Sequence, residues 1–409
     1  MAEVCYPPGL LGVDEAIKRL TGLARENQVE VETVALSMAA GRVLAADVVA
    51  AMNVPPEANS AMDGIAFRHA DVSASGFLPI SQRIAAGHAP SPLLPGTVAR
   101  IFTGAILPLG ADTVAMQENC EFSADAVLLK VVPEQGANIR PAGQDIAADS
   151  VVMSVGARLT PAALGVLASL GLAQVQVFRP LRVAVLSTGD ELLEPGEPWA
   201  SSMIYNSNRP LLSALLRGWA CEVIDLGRVP DSREATEKAF FEAAQKNVDV
   251  LISSGGVSVG EEDHVKAALR AQGQLDFWKI AIKPGKPVAV GKIHGMDFLG
   301  LPGNPQSVFV TALLLARPFL LARQGQQAVL PRSFPLPAAF TRRKAGDRRE
   351  YPRVQWQETE GGLQLHAQQS SGALLSALWA DGLALLEAGV LVTPGTVLPF
   401  LPLAVLYQP

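Results

Sequence analysis

LRVAVLS (181–187), NSNRPLLSALLRGWA (206–220), CEVIDLGRV (221–229), DSREATEKAFFEAAQKN (231–247), VDVLISSGG (248–256) and DHVKAALRAQG (263–273) follow one another along the chain, and this stretch decides the fold. Three of the runs are short and nearly all apolar. The other three place apolar residues at helical spacing with charged residues between them. Strands that are apolar throughout are buried on both faces, and strands that alternate with helices form a parallel sheet covered by those helices. The pattern predicts an α/β domain with a central parallel sheet over residues 181–328. In such open sheets ligands bind outside the carboxyl ends of the strands, so the residues that follow each strand are the first place to look for chemistry.

Outward from this domain the texture changes. VDEAIKRLTGLA (13–24) spaces Val13, Ile17 and Leu20 as a helix with acidic residues in its first turn. Residues 51–150 hold short β-prone runs such as ISQRIAAG, TVARIFTGAILP and AVLLKVV, separated by Gly, Pro and Asp, and read as a β-rich unit. LTPAALGVLASLG (159–171) offers Thr160 as N-cap, Pro161 as first helical residue and Gly171 as the stop. The economical arrangement packs this helix on the N-terminal one. Residues 1–50 plus 151–180 then form one discontinuous helical and extended domain, into which 51–150 is inserted. Residues 329–409 return to short strands spaced by Gly and Pro and predict a small β-barrel.

At 409 residues the chain exceeds the roughly 250–300 at which one core stops growing, so several domains are expected. A formal net charge of −6 argues against a nucleic-acid partner, and an anionic ligand would need a local basic pocket. Three cysteines and five histidines without metal-ligand spacing exclude a zinc site and fit a reducing cytoplasm. The N-terminus lacks the pattern of a signal peptide. The apolar run VTALLLARPFLLA (310–322) is shorter than the roughly 18 residues of a membrane span, so a soluble cytoplasmic protein with no membrane association is expected.

The strand ends are polar and glycine-rich. Ser187-Thr188-Gly189-Asp190-Glu191 follows the first strand; the third runs into a loop that includes Ser254, Gly255, Gly256, Ser258 and Asp263. Gly-rich turns entering helices present free NH groups that cradle phosphate, although the same residues also make plain tight turns. Neither a dinucleotide nor a Walker pattern occurs there, and no GxSxG elbow is present. Glu191, Asp231 and Asp263 bring carboxylates to the same edge, where Mg²⁺ would be held beside phosphates; Asp231 reads equally as a helix N-cap. Lys283-Pro284-Gly285-Lys286-Pro287 holds two lysines in a loop stiffened by prolines, suited to an oxyanion. Pro302 and Asn304 lie in a tight turn before the long apolar helix, either as an anion site or as a structural turn. Asp63 before Gly64 is a common turn pair, and Thr103 and Asp145 carry no signal of their own.

The ordered set NSAMDGIA (59–66), IFTGAILP (101–108), LSTGDEL (186–192), ISSGGVSVGEED (252–263), IKPGKPV (282–288) and LPGNPQS (301–307) resembles the molybdopterin molybdenumtransferase family, whose relatives include the carboxyl-terminal domain of gephyrin. The resemblance implies a Mg²⁺-dependent transferase. It hydrolyses adenylylated molybdopterin, inserts molybdate into the dithiolene and releases AMP, with an upstream adenylyltransferase supplying the substrate. It also implies an elongated homodimer in which Asp63, Thr103 and Asp145 of one subunit complete the cleft of the other. Glu191, Asp231 and Asp263 resemble the essential acids of the central domain, and Glu191, Asp263 and Asp145 the metal-holding ones. Lys283 and Lys286 resemble the basic pair at the molybdate and phosphate sites, and Arg348, Arg353 and Ser371 match positions lining the same cleft. Two departures stand out: Gln144 where Glu is common, and Ser370-Ser371-Gly372 for Gly-Ser-His. The competing implication is a non-catalytic scaffold of the same fold, which would have no need of a charged cleft.

Overall fold

The computed structural model describes residues 9–72, 76–257 and 264–409. Its centre is a six-stranded sheet in the order Glu222–Val229, Arg182–Thr188, Val250–Ser254, Met296–Leu301, Pro287–Ile293, Gly273–Lys279. The first four strands are mutually parallel, as the alternating pattern requires. Pro287–Ile293 runs antiparallel to both of its neighbours, Met296–Leu301 and Gly273–Lys279, an edge that the sequence reading did not include. A two-residue turn creates it: His294 and Gly295 both adopt positive φ, 48° and 84°, which folds Pro287–Ile293 back on Met296–Leu301 as a hairpin.

Helices cover both faces. Arg233–Gln245 and His264–Gln272 lie over one, and Asn208–Gly218 and the continuous helix Pro305–Arg323 over the other. That last helix has 19 residues, more than the run read from the sequence, and is long and apolar enough to cross a membrane; 94% of its apolar window is buried inside the protein, which makes it the core helix. It carries a π turn at Ala312–Ala316, just before Pro318. Proline lacks an N–H and collides with the carbonyl four residues earlier, and a widened turn relieves both problems.

The N-terminal helix Val13–Glu26 buries Val13, Ala16, Leu20 and Ala24, one face at helical spacing. That face joins the same apolar cluster as Leu313, Leu320 and Leu321 of the core helix. The helix Pro161–Ser169, capped by the Thr160 hydroxyl accepting from the Ala163 amide at 3.2 Å, lies in a separate cluster with Leu44, Leu159 and Val177. The expected packing of these two helices on each other is therefore corrected. The core helix, with 19 residues, offers a longer apolar surface than the nine-residue Pro161–Ser169, of which only Ala163 and Leu167 are buried.

Residues 31–49 and 151–178 still meet, through Val31–Ala35 with Gln174–Phe178 and Val48–Val49 with Val151–Met153. Between these pairs the chain makes a six-stranded sheet, Thr113–Met116, Gly64–Phe67, Val98–Ile101, Leu78–Ile84, Ala126–Leu129, Cys120–Phe122. The C-terminal unit is a five-stranded antiparallel sheet, Phe334–Pro337, Val397–Pro402, Gly382–Ala384, Arg353–Gln357, Gly362–Leu365. Its outer strands converge where the Ala339 amide donates to the Leu363 carbonyl at 2.9 Å, which curls the sheet toward a barrel. Cys120 and Cys221 are free and buried; Cys5 lies outside the described residues.

Candidate functional site

Three parallel strands end side by side at Thr188, Ser254 and Leu301, and the loops that leave them form the floor of one cleft. Gly255 and Gly256 turn with φ of 92° and 64°. A Cβ on Gly256 would lie 2.4 Å from Val265 Cγ2, and one on Gly255 would lie 3.0 Å from the Thr188 carbonyl oxygen, so both positions require glycine. Ser254 itself is buried and its hydroxyl is engaged with Ser187 Oγ at 2.8 Å. Ser258 and Asp263 lie outside the described residues.

The cleft has two halves that share Gly255, Gly256, Gly303 and Asn304. The first, of about 520 Å³, is lined by Lys283, Lys286, Pro302 and Asn304 of the central domain and by Arg348, Gln369, Ser370 and Ser371 of the C-terminal domain. Lys283 and Lys286 are exposed, and among the described residues Lys286 has no ion-pair partner. Arg348 is held by its Nη1 donating to the Ile282 carbonyl at 3.3 Å and its Nε to Asp347 at 3.2 Å. Gly285, between the lysines, has φ 110° and presses its backbone against Thr311 of the core helix.

The second half, of about 430 Å³, contains Glu191 and Asp231 together with Tyr205, Asn206 and Asn208. The Glu191 carboxylate folds back over Gly189, where a Cβ would lie 2.6 Å from Oε2. The alternative reading of Asp231 as a helix cap is removed: Ser232 caps the helix, its hydroxyl accepting from the Ala235 amide at 3.2 Å. The Asp231 amide donates to Asp190 Oδ1 at 3.0 Å, which ties the two acidic loops together.

At the start of the core helix the Gln306 amide donates to the Ser371 carbonyl at 2.9 Å. This bond docks the C-terminal loop onto the cleft. Arg353 does not line the cleft as the resemblance implied. It is 1% exposed, its Nε donates to Ser376 Oγ at 3.0 Å and its Nη2 to the Gln368 and Ser370 carbonyls, and burial pushes its pKa down to about 10. It supports the 368–371 loop from beneath.

Asp63, Thr103 and Asp145 belong to the inserted β unit and line neither half of the cleft within this chain. The Thr103 amide and hydroxyl donate to Asp63 Oδ1 at 2.7 and 2.8 Å and hold that carboxyl below its usual range, so Asp63 is a carboxylate at neutral pH. Asp145 is exposed.

Some cleft residues were missed from sequence. Asn208 fixes the turn at Gly303, its Nδ2 donating to that carbonyl at 2.7 Å. The Asn-Ser-Asn run before the helix was the available signal, since such residues collect at helix starts. Gln369 and Ser307 carried none. A metal can also be weighed: among the described residues no group of three or more His, Cys, Asp and Glu is disposed to hold one. Glu191 and Asp231 are hard oxygen donors facing one half of the cleft, which suits a cation held by one or two carboxylates and phosphate oxygens rather than a protein cage.

Comparison with known proteins adds the following. Residues 11–171 match the MoeA N-terminal region (domain I and II), residues 184–322 the probable molybdopterin binding domain, and residues 335–403 the MoeA C-terminal region (domain IV). The chain is 46% identical over 327 residues to a molybdopterin molybdenumtransferase of Haemophilus influenzae, covering 79% of this chain and 81% of that protein. It is 34% identical over 395 residues to that of Synechococcus elongatus, covering 93% and 96%. A crystal structure of the molybdopterin biosynthesis moeA protein from Pyrococcus horikoshii superimposes with a TM-score of 0.80 at 25% identity, covering 96% of this chain and 100% of that one.

Proposed function

Because the chain belongs to the molybdopterin molybdenumtransferase family, transferases of molybdenum cofactor biosynthesis, we propose that its cleft takes adenylylated molybdopterin and molybdate, cleaves the adenylate with Mg²⁺ present, inserts molybdenum into the dithiolene and releases AMP. The observation that carries this reading is the division of the cleft. Lys283, Lys286 and Arg348 stand on one side of the Gly255-Gly256 turn, and Glu191 and Asp231 on the other.

The Gly256 amide of the glycine turn binds a phosphate of the substrate, while the Gly255 amide already donates to the Leu301 carbonyl at 3.1 Å. Lys286 and Arg348 hold the oxyanion in the half contributed jointly by the central and C-terminal domains, with the planar guanidinium fixing its orientation. Glu191 and Asp231, with Asp263 from the loop outside the described residues, would hold Mg²⁺. When bound, the ion would supply Lewis-acid neutralisation of the negative charge on the substrate's phosphates. Water adds to the phosphorus of the pterin phosphate and loses a proton to solvent, the bridging P–O bond breaks with its electron pair on the AMP oxygen, and Lys283 offsets the charge that develops as AMP departs.

Two copies of the chain form the working unit in this proposal. Asp63, Thr103 and Asp145 of a second copy close the Glu191 end, with Asp145 adding a carboxylate to the metal. Support comes from an ionised Asp63 that lines neither half of the cleft in its own chain. A reducing cytoplasm suits its buried free thiols.

The test is direct. Full-length protein with adenylylated molybdopterin, molybdate and Mg²⁺ is expected to release AMP, measured chromatographically, and Glu191→Ala and Asp263→Ala are expected to stop it. Release that persists in both variants, or that is indifferent to molybdate, overturns the proposal. The second outcome would identify a nucleotide hydrolase instead.

A further inference from the structure

Lys283 lies where three cavities adjoin: the oxyanion half of the cleft, a chamber of about 260 Å³ beside Tyr351 and Arg353, and an outer basic pocket along residues 341–347. Its Nζ is 3.4 Å from Oε2 of Glu350, a residue of the C-terminal domain that is 7% exposed. Glu350 is held on all sides. Arg342 Nη2 donates to both of its carboxylate oxygens at 2.6 Å. Gly346 approaches so closely that a Cβ there would lie 2.0 Å from Oε1. The backbone pairs Glu350 with Lys283 in parallel, and the Tyr351 amide donates to the Lys283 carbonyl at 3.0 Å.

The two cations that share this carboxylate are unequal. Arg342 lies 2.6 Å from both oxygens with a side chain 23% exposed; Lys283 lies 3.5 and 3.4 Å from the same two oxygens with a side chain 49% exposed. A short charge-assisted contact to both oxygens is the stronger, and a long half-solvated lysine contact contributes little. Lys283 is thus the partner that exchanges readily. Together the three groups carry a net charge of +1.

We propose that Glu350 is a positioning residue. It fixes Arg342 permanently and holds Lys283 loosely at the cleft mouth, from which an arriving oxyanion takes the ammonium over. The inference rests on the functional reading above and names a member of its machinery that touches no substrate. It also explains why the C-terminal domain pairs its backbone with the lysine loop, since the carboxylate is useful only if its register to Lys283 is fixed.

The experiment uses the full-length protein, sodium molybdate and AMP release, with Glu350→Gln, Glu350→Asp, Lys283→Ala and the double variant Glu350→Gln/Lys283→Ala. A half-exposed ion pair of this length predicts that Glu350→Gln lowers kcat about two- to fivefold. Its KM for molybdate should not rise, because a negative charge beside the site has gone. Glu350→Asp should restore most of kcat, and Lys283→Ala should raise the molybdate KM. In the Lys283→Ala background, Glu350→Gln should have no further effect on kcat. Wild-type kcat in Glu350→Gln overturns the proposal, as does an undiminished effect in the double variant. A purely structural role would instead raise KM and lower the thermal midpoint in Glu350→Gln and Glu350→Asp alike, and that result also overturns it. If the wild-type protein neither binds molybdate calorimetrically nor releases AMP, the functional reading itself has failed, separately from these comparisons.

Discussion

Gly285→Ala should destabilise the protein and disturb the lysine loop of the cleft. Gly285 has φ 110°, a region that residues with a side chain occupy only under strain. That strain is worth about 1–3 kcal/mol. A Cβ there would also lie 2.3 Å from Thr311 Cγ2, and Thr311 is fully buried in the core helix with no room to retreat. Overpacking of this kind costs a further ~1–3 kcal/mol. The sum, about 2–6 kcal/mol, corresponds to a fall of roughly 5–20 °C in thermal midpoint at about 2–4 °C per kcal/mol. Because the loop carries Lys283 and Lys286, molybdate affinity should fall with it. The clashing atom can be removed separately: Thr311→Ser keeps the hydroxyl and deletes the methyl, at a cost of ~1 kcal/mol for the lost packing. In Gly285→Ala/Thr311→Ser the steric part should disappear, leaving a coupling of at least ~1 kcal/mol in a double-mutant cycle followed by thermal unfolding. Strictly additive midpoints, or a Gly285→Ala variant within 2 °C of wild type, would refute the steric reasoning and leave only backbone strain.

Other outcomes follow from the same geometry. Mixing inactive Asp63→Ala with inactive Glu191→Ala should recover about a quarter of wild-type AMP release once subunits exchange, since each mixed dimer regains one intact site; no recovery places both residues in one subunit's cleft. Lys286→Ala removes a charged contact worth about 1.5–3 kcal/mol, so calorimetric molybdate affinity should fall roughly 10- to 150-fold; unchanged affinity excludes Lys286 from the oxyanion half. Ser232→Ala should lower stability by ~1 kcal/mol in urea unfolding through loss of the cap on Arg233–Gln245. Arg349 donates to both oxygens of Asp14, at 2.7 and 2.8 Å, and these bonds hold the Asp14 carboxyl below its ordinary value of 3.8. A depressed folded-state pKa contributes stability above the unfolded value, and this is lost as pH falls through the folded one. Asp14→Asn should therefore lower the thermal midpoint at pH 7, by under ~1 kcal/mol given the exposure of Asp14, and make no difference at a pH well below 3.8.

Much of this protein was legible as sequence wherever the cause was local or periodic. Apolar strands alternating with amphipathic helices from Leu181 onward dictate a parallel sheet, because only helices on both faces can bury strands with no polar side. Thr160 and Pro161 start their helix for reasons contained in two residues. The same alternation pointed to strand ends as the ligand-binding edge, and Gly255, Gly256, Glu191 and Asp231 all meet there.

What the sequence could not decide concerns surfaces of similar chemistry choosing among partners. Val13–Glu26 displays an apolar face that fits any apolar groove; the long core helix offered the larger one, so it packs there rather than on Pro161–Ser169. His294-Gly295 is a hairpin turn only once Met296–Leu301 has joined the sheet and left its other edge open. Arg353 and Arg348 are alike as residues, yet one is fully buried beneath a loop and the other lines the cleft, a difference set by the curl of the C-terminal sheet. Glu350 was one acid in a basic run until the fold set its backbone beside Lys283. Local pattern determines elements because its energetics act within a few residues. The tertiary structure alone brings residues 67 positions apart to 3.4 Å, and there the chemistry of the cleft is decided.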